Sequence, residues 1–271
     1  MKIFNGVKIA IFVLIILILG LVIYFFNQGS EIQPRLSENM DKKTKSEIPP
    51  EAIEKISLVT VYDNYLADSR LETGWGFSCL VKTEDKNILF DTGADSPILL
   101  SNMEKLGINP GEIDFVFISH LHEDHIGGLP GILEIKPDLP VYKPEFFSGP
   151  VKIENGIWTT GPLGDGIKEQ SLIIESEKGL IIITGCAHPG IVNIITSVKS
   201  QFPDKQLYLV MGGFHLFQTS DFDIKKIIEE FKNLGVQKVA PCHCSGDRCR
   251  ELFKQEYKDN FIENGAGKII N

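Results

Sequence analysis

The sequence predicts a layered α/β domain carried behind one transmembrane helix, and three observations predict it. Residues 9–26 form an apolar run without a single charge. From residue 53 onward, short apolar stretches are punctuated by Gly, Asp and Pro, the pattern of strands that end in turns. In the second half these stretches alternate with segments of helical period, the order expected of an α/β sheet. No period of roughly 20–50 residues recurs, which excludes a solenoid.

Taken in chain order, the run 9–26 would span roughly 27 Å as a helix at about 1.5 Å per residue, enough to cross a bilayer core. Lys2 and Lys8 precede it and no small-x-small cleavage site follows, so residues 1–26 read as a retained membrane anchor. Lys8 and the terminal amine favour a cytoplasmic N-terminus, whereas Arg35, Lys42, Lys43 and Lys45 pull the other way. The reading adopted is a single-pass protein with its catalytic domain on the extracytoplasmic side. Residues 27–50 are polar and end in Pro49-Pro50, a flexible tether that leaves 51–271 as the globular domain. Strands are predicted at 56–62, 77–82, 87–90, 115–119, 171–174, 180–184, 206–211 and 237–240. Helices are predicted at 96–106, 191–201, 224–234 and 247–254. Asp221 or Asp223 would cap the third helix, and Gly235 would follow its end.

Composition narrows the function. The 271 residues carry 27 Lys+Arg against 36 Asp+Glu, a net charge of −9, and such a balance argues against nucleic acid as a partner. The 43% hydrophobic share is concentrated in the first 26 residues, so the remainder suffices for one buried domain and no further span. Five cysteines, three of them at 242, 244 and 249, do not suit a disulfide framework and read as thiols kept near a site.

The chemistry concentrates at Ser119-His120-Leu121-His122-Glu123-Asp124-His125-Ile126-Gly127-Gly128, which holds three of the six histidines and follows the apolar strand at 115. Ligands at i, i+2, i+4 and i+5 cannot share a helical face, but an irregular loop can turn them towards two neighbouring points. His122 and His125 are three apart, which separates this motif from the helical H-E-x-x-H of zinc proteases. Imidazole and carboxylate together suit Zn²⁺, with Mn²⁺ and Fe²⁺ as alternatives. The other histidines, His188, His215 and His243, come singly, each at a Gly or Pro turn after an apolar strand. All six therefore fall at strand ends, where an α/β sheet gathers its functional loops.

H-x-H-x-D-H after a strand, with Leu89-Phe90-Asp91-Thr92-Gly93 upstream, resembles the metallo-β-lactamase superfamily. Val61-Tyr62-Asp63-Asn64, Thr184-Gly185-Cys186-Ala187-His188-Pro189-Gly190, Gly212-Gly213-Phe214-His215-Leu216 and Pro241-Cys242-His243-Cys244-Ser245-Gly246 are similar to one branch of it. That branch is the 7,8-dihydropterin-6-methyl-4-(β-D-ribofuranosyl)-aminobenzene-5′-phosphate synthase-like proteins. The resemblance covers roughly residues 56–250 and implies a four-layer αββα sandwich with two divalent metal ions at one sheet edge. It places His120, His122 and His188 on one ion, Asp124, His125 and His243 on the other, and Asp91 behind the histidine loop as a brace. Asp91 also has a plainer reading, as a cap or turn residue for the helix at 96.

One departure matters. Many superfamily members carry a Gly-Asp whose carboxylate bridges both metals, and here the strand at 180–184 leads to Gly185-Cys186. Cys186 is either a thiolate contact or a small buried thiol; His215 is a ligand, a substrate contact or core. Cys242, Cys244 and Cys249 could form a separate zinc knuckle, although a strand–turn–helix explains their spacing better. The expected activity is hydrolysis of an ester, phosphorylated or otherwise anionic and small, by a metal-bound hydroxide that Asp124 ligates and orients. The alternatives are a pterin-related synthase and a non-catalytic metal-binding or sensing module. Tyr142, Phe146, Phe147, Trp158 and Trp75 are expected in the pocket wall or the core. Glu169-Gln170 matches the branch with no chemistry assigned.

Overall fold

In the computed structural model residues 52–271 are described; the anchor predicted at 9–26 and the tether at 27–50 lie outside them. No helix among the described residues is long and apolar enough to cross a membrane. Twelve strands form two sheets. The first contains β1 (Ser57–Tyr62), β2 (Ser78–Lys82), β3 (Asn87–Phe90), β4 (Phe115–Phe117), β5 (Val141–Tyr142) and β12 (Ile269–Ile270), in the order β12-β1-β2-β3-β4-β5. The second contains β6 (Val151–Glu154), β7 (Ile157–Thr159), β8 (Leu172–Ser176), β9 (Gly179–Thr184), β10 (Leu207–Gly213) and β11 (Val236–Cys242), ordered β11-β10-β9-β8-β7-β6. Both sheets are mixed: β3, β4 and β5 run parallel, as do β9, β10 and β11, and the remaining pairings are antiparallel.

Side chains alternate along each strand, and that period of two builds the layers. Leu58, Val81, Ile88, Phe90 and Phe117 of the first sheet meet Leu172, Ile174, Ile181, Ile183, Leu209 and Met211 of the second in a core between the sheets. Residues of opposite parity, Val59, Leu80, Leu89 and Val116, pack outward with Leu99 and Met103 of α1 (Ser96–Lys105). Two further helices follow β4, α2 (Glu123–Ile126) and α3 (Leu129–Ile135), and Ile132 of α3 joins this outer layer. On the far side Ile173, Leu180, Ile182, Val210 and Val239 pack with α4 (Ile191–Gln201), α5 (Asp221–Asn233) and α6 (Asp247–Tyr257). The layers are therefore helix, sheet, sheet, helix.

Two expectations are corrected. Ser220, not Asp221 or Asp223, caps α5: its hydroxyl accepts from the Asp223 amide, and both aspartates sit inside the first turn. Asp91 caps no helix, since Asp95 accepts from the Ile98 amide at the start of α1. A cavity of about 480 Å³ lies at the end of the sandwich where β9 and β10 begin, lined by Leu58, Ile181, Tyr208 and Leu209, and contains no histidine. The histidines all lie at the other end.

Candidate metal centre

The C-terminal ends of β1, β3, β4, β9, β10 and β11 share one edge, and each delivers a polar residue there. Asp91 leaves β3 with φ +52, a left-handed conformation that an ordinary residue adopts at a cost. Ala187, His215 and His243 are also left-handed, at φ +59, +55 and +46, so the strain among non-glycine residues is concentrated at this edge.

Asp91 organises the loop after β4. Its Oδ1 accepts from the Ser119 amide at 2.7 Å, and its Oδ2 accepts from Ser119 Oγ and from His125 Nδ1, both at 2.7 Å. A hydroxyl has one proton, and Ser119 gives it to the carboxylate. Ser119 Oγ must then accept from His120 Nδ1, 2.9 Å away. His120 is thereby left with an Nε2 lone pair directed inward, and His125 Nε2 also faces inward, although against the effect of burial the Asp91 carboxylate raises the His125 pKa. Burial, then the neighbouring His125, His188 and His122, hold His120 well below the usual imidazole value. Burial and the neighbouring His215 bring His188 down to about 4. Both rings are neutral donors at neutral pH.

In the first cluster the donor atoms of His120, Cys186 and His188 all lie within 4.8 Å of one another, and His122 adjoins them through His120. His120 Nε2 lies 3.1 Å from His122 Nδ1 and 3.2 Å from His188 Nε2. Tetrahedral zinc–imidazole bonds of about 2.0–2.1 Å would set ligand nitrogens roughly 3.3 Å apart, so the spacing fits a shared ion. The second cluster is Asp124, His125, Cys186 and His243, whose donor atoms all lie within 4.8 Å of one another. Asp124 Oδ2 is 3.2 Å from His243 Nε2 and 3.7 Å from His125 Nε2. Although burial opposes it, the contact with His243 and the charge of His125 hold the Asp124 carboxyl well below its ordinary range.

His243 supplies a direct test of fit. Its Nδ1 donates to Asn64 Oδ1 at 3.0 Å, while Asn64 Nδ2 donates to the His243 carbonyl and fixes the amide. His243 Nε2 is buried, has no hydrogen-bond partner, and lies 3.2 Å from the Asp124 carboxylate. An imidazole nitrogen and a carboxylate oxygen held this close, with no other partner for the nitrogen, fit a shared cation, either a proton or a metal ion. The donor set of imidazole, carboxylate and thiol suits Zn²⁺.

Residues 76–202 match the family model of the metallo-beta-lactamase superfamily. A Methanocaldococcus jannaschii protein named 7,8-dihydropterin-6-methyl-4-(beta-D-ribofuranosyl)-aminobenzene-5'-phosphate synthase is 32% identical, over 80% of this chain and 97% of its own. The chain belongs to the metallo-β-lactamase superfamily. Within the superfamily it falls in the branch of that synthase. A solved structure described as a metal-dependent hydrolase of the beta-lactamase superfamily superposes with a TM-score of 0.69 at 28% identity, covering 80% of this chain and 99% of the other. Human tRNase Z, short form, gives 0.51 at 14% identity, over 79% and 98%, and shares the fold.

The departure from the superfamily's bridging Gly-Asp lies where β9 leads into Gly185-Cys186. On the neighbouring β10, a side chain at Gly213 would run into the Gly185 carbonyl and into Cys244 Sγ, the latter 2.6 Å from the Cβ position. Cys186 occupies the space between the clusters instead. Its sulfur is 3.1 Å from His125 Nε2 and groups also with His120 and His188. Cys186 and Cys244 are both buried, and the hydrogen bond to Cys244 raises the Cys186 thiol.

Glu169 is the principal residue whose role the sequence did not disclose. Its buried carboxylate accepts from the amides of Gly185, Cys186 and Ala187 at 3.1, 2.9 and 2.8 Å, and from that of His188 at 2.8 Å. Burial raises its pKa and these amides oppose the rise. Glu169 thus shapes the turn that presents Cys186 and His188. Gln170 ties β4 to β5 through the Ile118 and Tyr142 carbonyls. The Glu169-Gln170 similarity to the branch was the available signal, as was Asn64 within Val61-Tyr62-Asp63-Asn64.

The mouth is only partly as expected. Trp75 is 53% exposed with its ring centroid 4.9 Å from that of His243, and Phe146 is exposed. Tyr142 packs against Phe115, and Trp158 packs on Phe202 while donating to Glu175, so both serve the fold. A cavity of about 380 Å³ beside His122 is lined by Leu121, Ile167 and Lys168, and another of about 470 Å³ adjoins His188. His215 is exposed with its ring 4.5 Å from that of His188.

Proposed function

We propose that the chain is a membrane-anchored, dinuclear metal-dependent hydrolase acting on an ester of a small anionic molecule. The observation that carries it is the buried, partnerless Nε2 of His243 beside Asp124 Oδ2, together with His120, whose Nε2 lies 3.1 Å from His122 Nδ1 and 3.2 Å from His188 Nε2. His120, His122 and His188 would hold one divalent ion; Asp124, His125 and His243, with Cys186 between the clusters, would hold the other. Two such ions supply an acidified water and polarise an ester oxygen. Asp91, Ser119 and Asn64 keep the Nε2 atoms of His125, His120 and His243 aimed inward. Asp124 Oδ2, ionised at neutral pH, can orient a water by accepting its hydrogen bond. Lys168 and Glu145 both line the cavity beside His122, and Lys168 Nζ donates to the Gly164 carbonyl.

In this reading residues 9–26 anchor the chain in a membrane, residues 27–50 tether it, and the domain from 51 lies on the extracytoplasmic side. The printed name of the M. jannaschii relative favours a second reading, a pterin-related synthase in which the same residues position two substrates. Turnover of generic phosphodiesters and lactones by the full chain with added Zn²⁺ or Mn²⁺ tests the first. Metal-dependent product that disappears in H122A supports hydrolysis. A fully metal-loaded chain that turns over none of them overturns it. Protease accessibility in sealed vesicles separates the readings further, because an extracytoplasmic domain has little access to cytosolic pterins.

A further inference from the structure

We propose that Cys186, His215 and Cys244 form a third cation position, distinct from the two clusters above, which takes a thiophilic divalent ion such as Zn²⁺. Their donor atoms all lie within 4.8 Å of one another. Each comes from a different strand end: Cys186 follows β9, His215 follows β10 and Cys244 follows β11. The convergence is built into the backbone. His215 is left-handed at φ +55, and Gly213 has no side chain where one would meet Cys244 Sγ. Cys244 Sγ contacts the Cys186 thiol and the His215 ring, with a further long contact of 3.7 Å to the Cys186 carbonyl, so the three side chains already meet one another.

The donor chemistry differs from that of the other positions. Two sulfurs and one nitrogen are a soft set that selects zinc over magnesium, calcium or manganese. Zinc–sulfur bonds of about 2.3 Å and zinc–nitrogen bonds of about 2.0–2.1 Å need donors roughly 3.6–3.8 Å apart, which a small closure of the trio provides. Cys186 is shared with the dinuclear clusters, and a thiolate sulfur has lone pairs enough to bridge. Three protein ligands leave a fourth position open on the exposed His215 side, for water or an anionic group of a substrate. Binding as two thiolates and one neutral imidazole releases the two thiol protons to solvent.

The test is titration of the metal-free full chain with Cd²⁺, reading bound equivalents by elemental analysis and the thiolate-to-cadmium charge-transfer absorbance. Wild type should bind one equivalent more than H215A and C244A, and both variants should lose part of the absorbance. H122A should lose an equivalent while keeping that absorbance. Equal stoichiometry in wild type and H215A overturns the proposal, and because His215 is exposed this comparison survives even if C244A fails to fold. An unchanged count in H122A would instead overturn the tri-histidine position and leave the thiol site standing.

Discussion

At the residue scale, Asn64 shows how a neutral side chain controls a prospective ligand. It grips His243 at both the ring and the carbonyl, and touches no other histidine. Asn64→Ala should weaken one metal equivalent by about 10–100-fold and leave the other unchanged, as competition with a chromophoric chelator would show. Its neighbour Asp63 is wholly buried; Oδ1 accepts from the Tyr65 amide and Oδ2 has no partner. Burial pushes this carboxyl from 3.8 up to about 6. The folded chain therefore holds a proton that the unfolded chain has released between about pH 4 and 6. Stability is full below that window and falls as pH rises through it, by up to about 3 kcal/mol. Asp63→Asn should abolish the decline, so that melts of the metal-stripped variant exceed wild type at pH 7 and converge with it near pH 4. Sequence disclosed the ligand types because histidine is scarce and clustered. Asn64, Ser119 and Glu169 stayed hidden because common polar residues acquire their roles only from what the fold puts beside them.

The element scale explains what was legible in the fold. β3, β9 and β10 have buried cores of Ile, Leu, Val and Met, and their apolar runs announce them. β6 at the sheet edge is partly exposed, so its alternation is diluted by Lys152 and Glu154, and β7 beside it is only three residues long and includes the buried polar Thr159. The short helices α2 and α3 are hidden by Gly127, Gly128, Pro130 and Gly131, whose residue types argue against helix. The turn from β9 into α4 is held by Glu169 rather than by its own sequence. Glu169→Gln keeps one acceptor oxygen and sets an amide against buried N–H donors. It should cost about 3 kcal/mol, read as a lower denaturant midpoint, and weaken metal binding through displaced Cys186 and His188.

For the whole molecule, the proposed anchor makes a separable prediction. Removing residues 1–26 should move the protein from the membrane to the soluble fraction, with bound metal per chain unchanged by elemental analysis. The four-layer arrangement was stated by the family resemblance and not by periodicity, since alternation marks a strand's two faces without saying which sheet lies opposite. The sandwich also places one shared carboxyl group behind both clusters. Asp91 steers His125 directly and His120 through Ser119, so one carboxylate braces a donor in each cluster. The two positions then cannot fill as independent sites. The first ion to arrive draws on the same brace that the second requires, and the stepwise association constants should depart from the statistical ratio, so that loading behaves as one linked equilibrium.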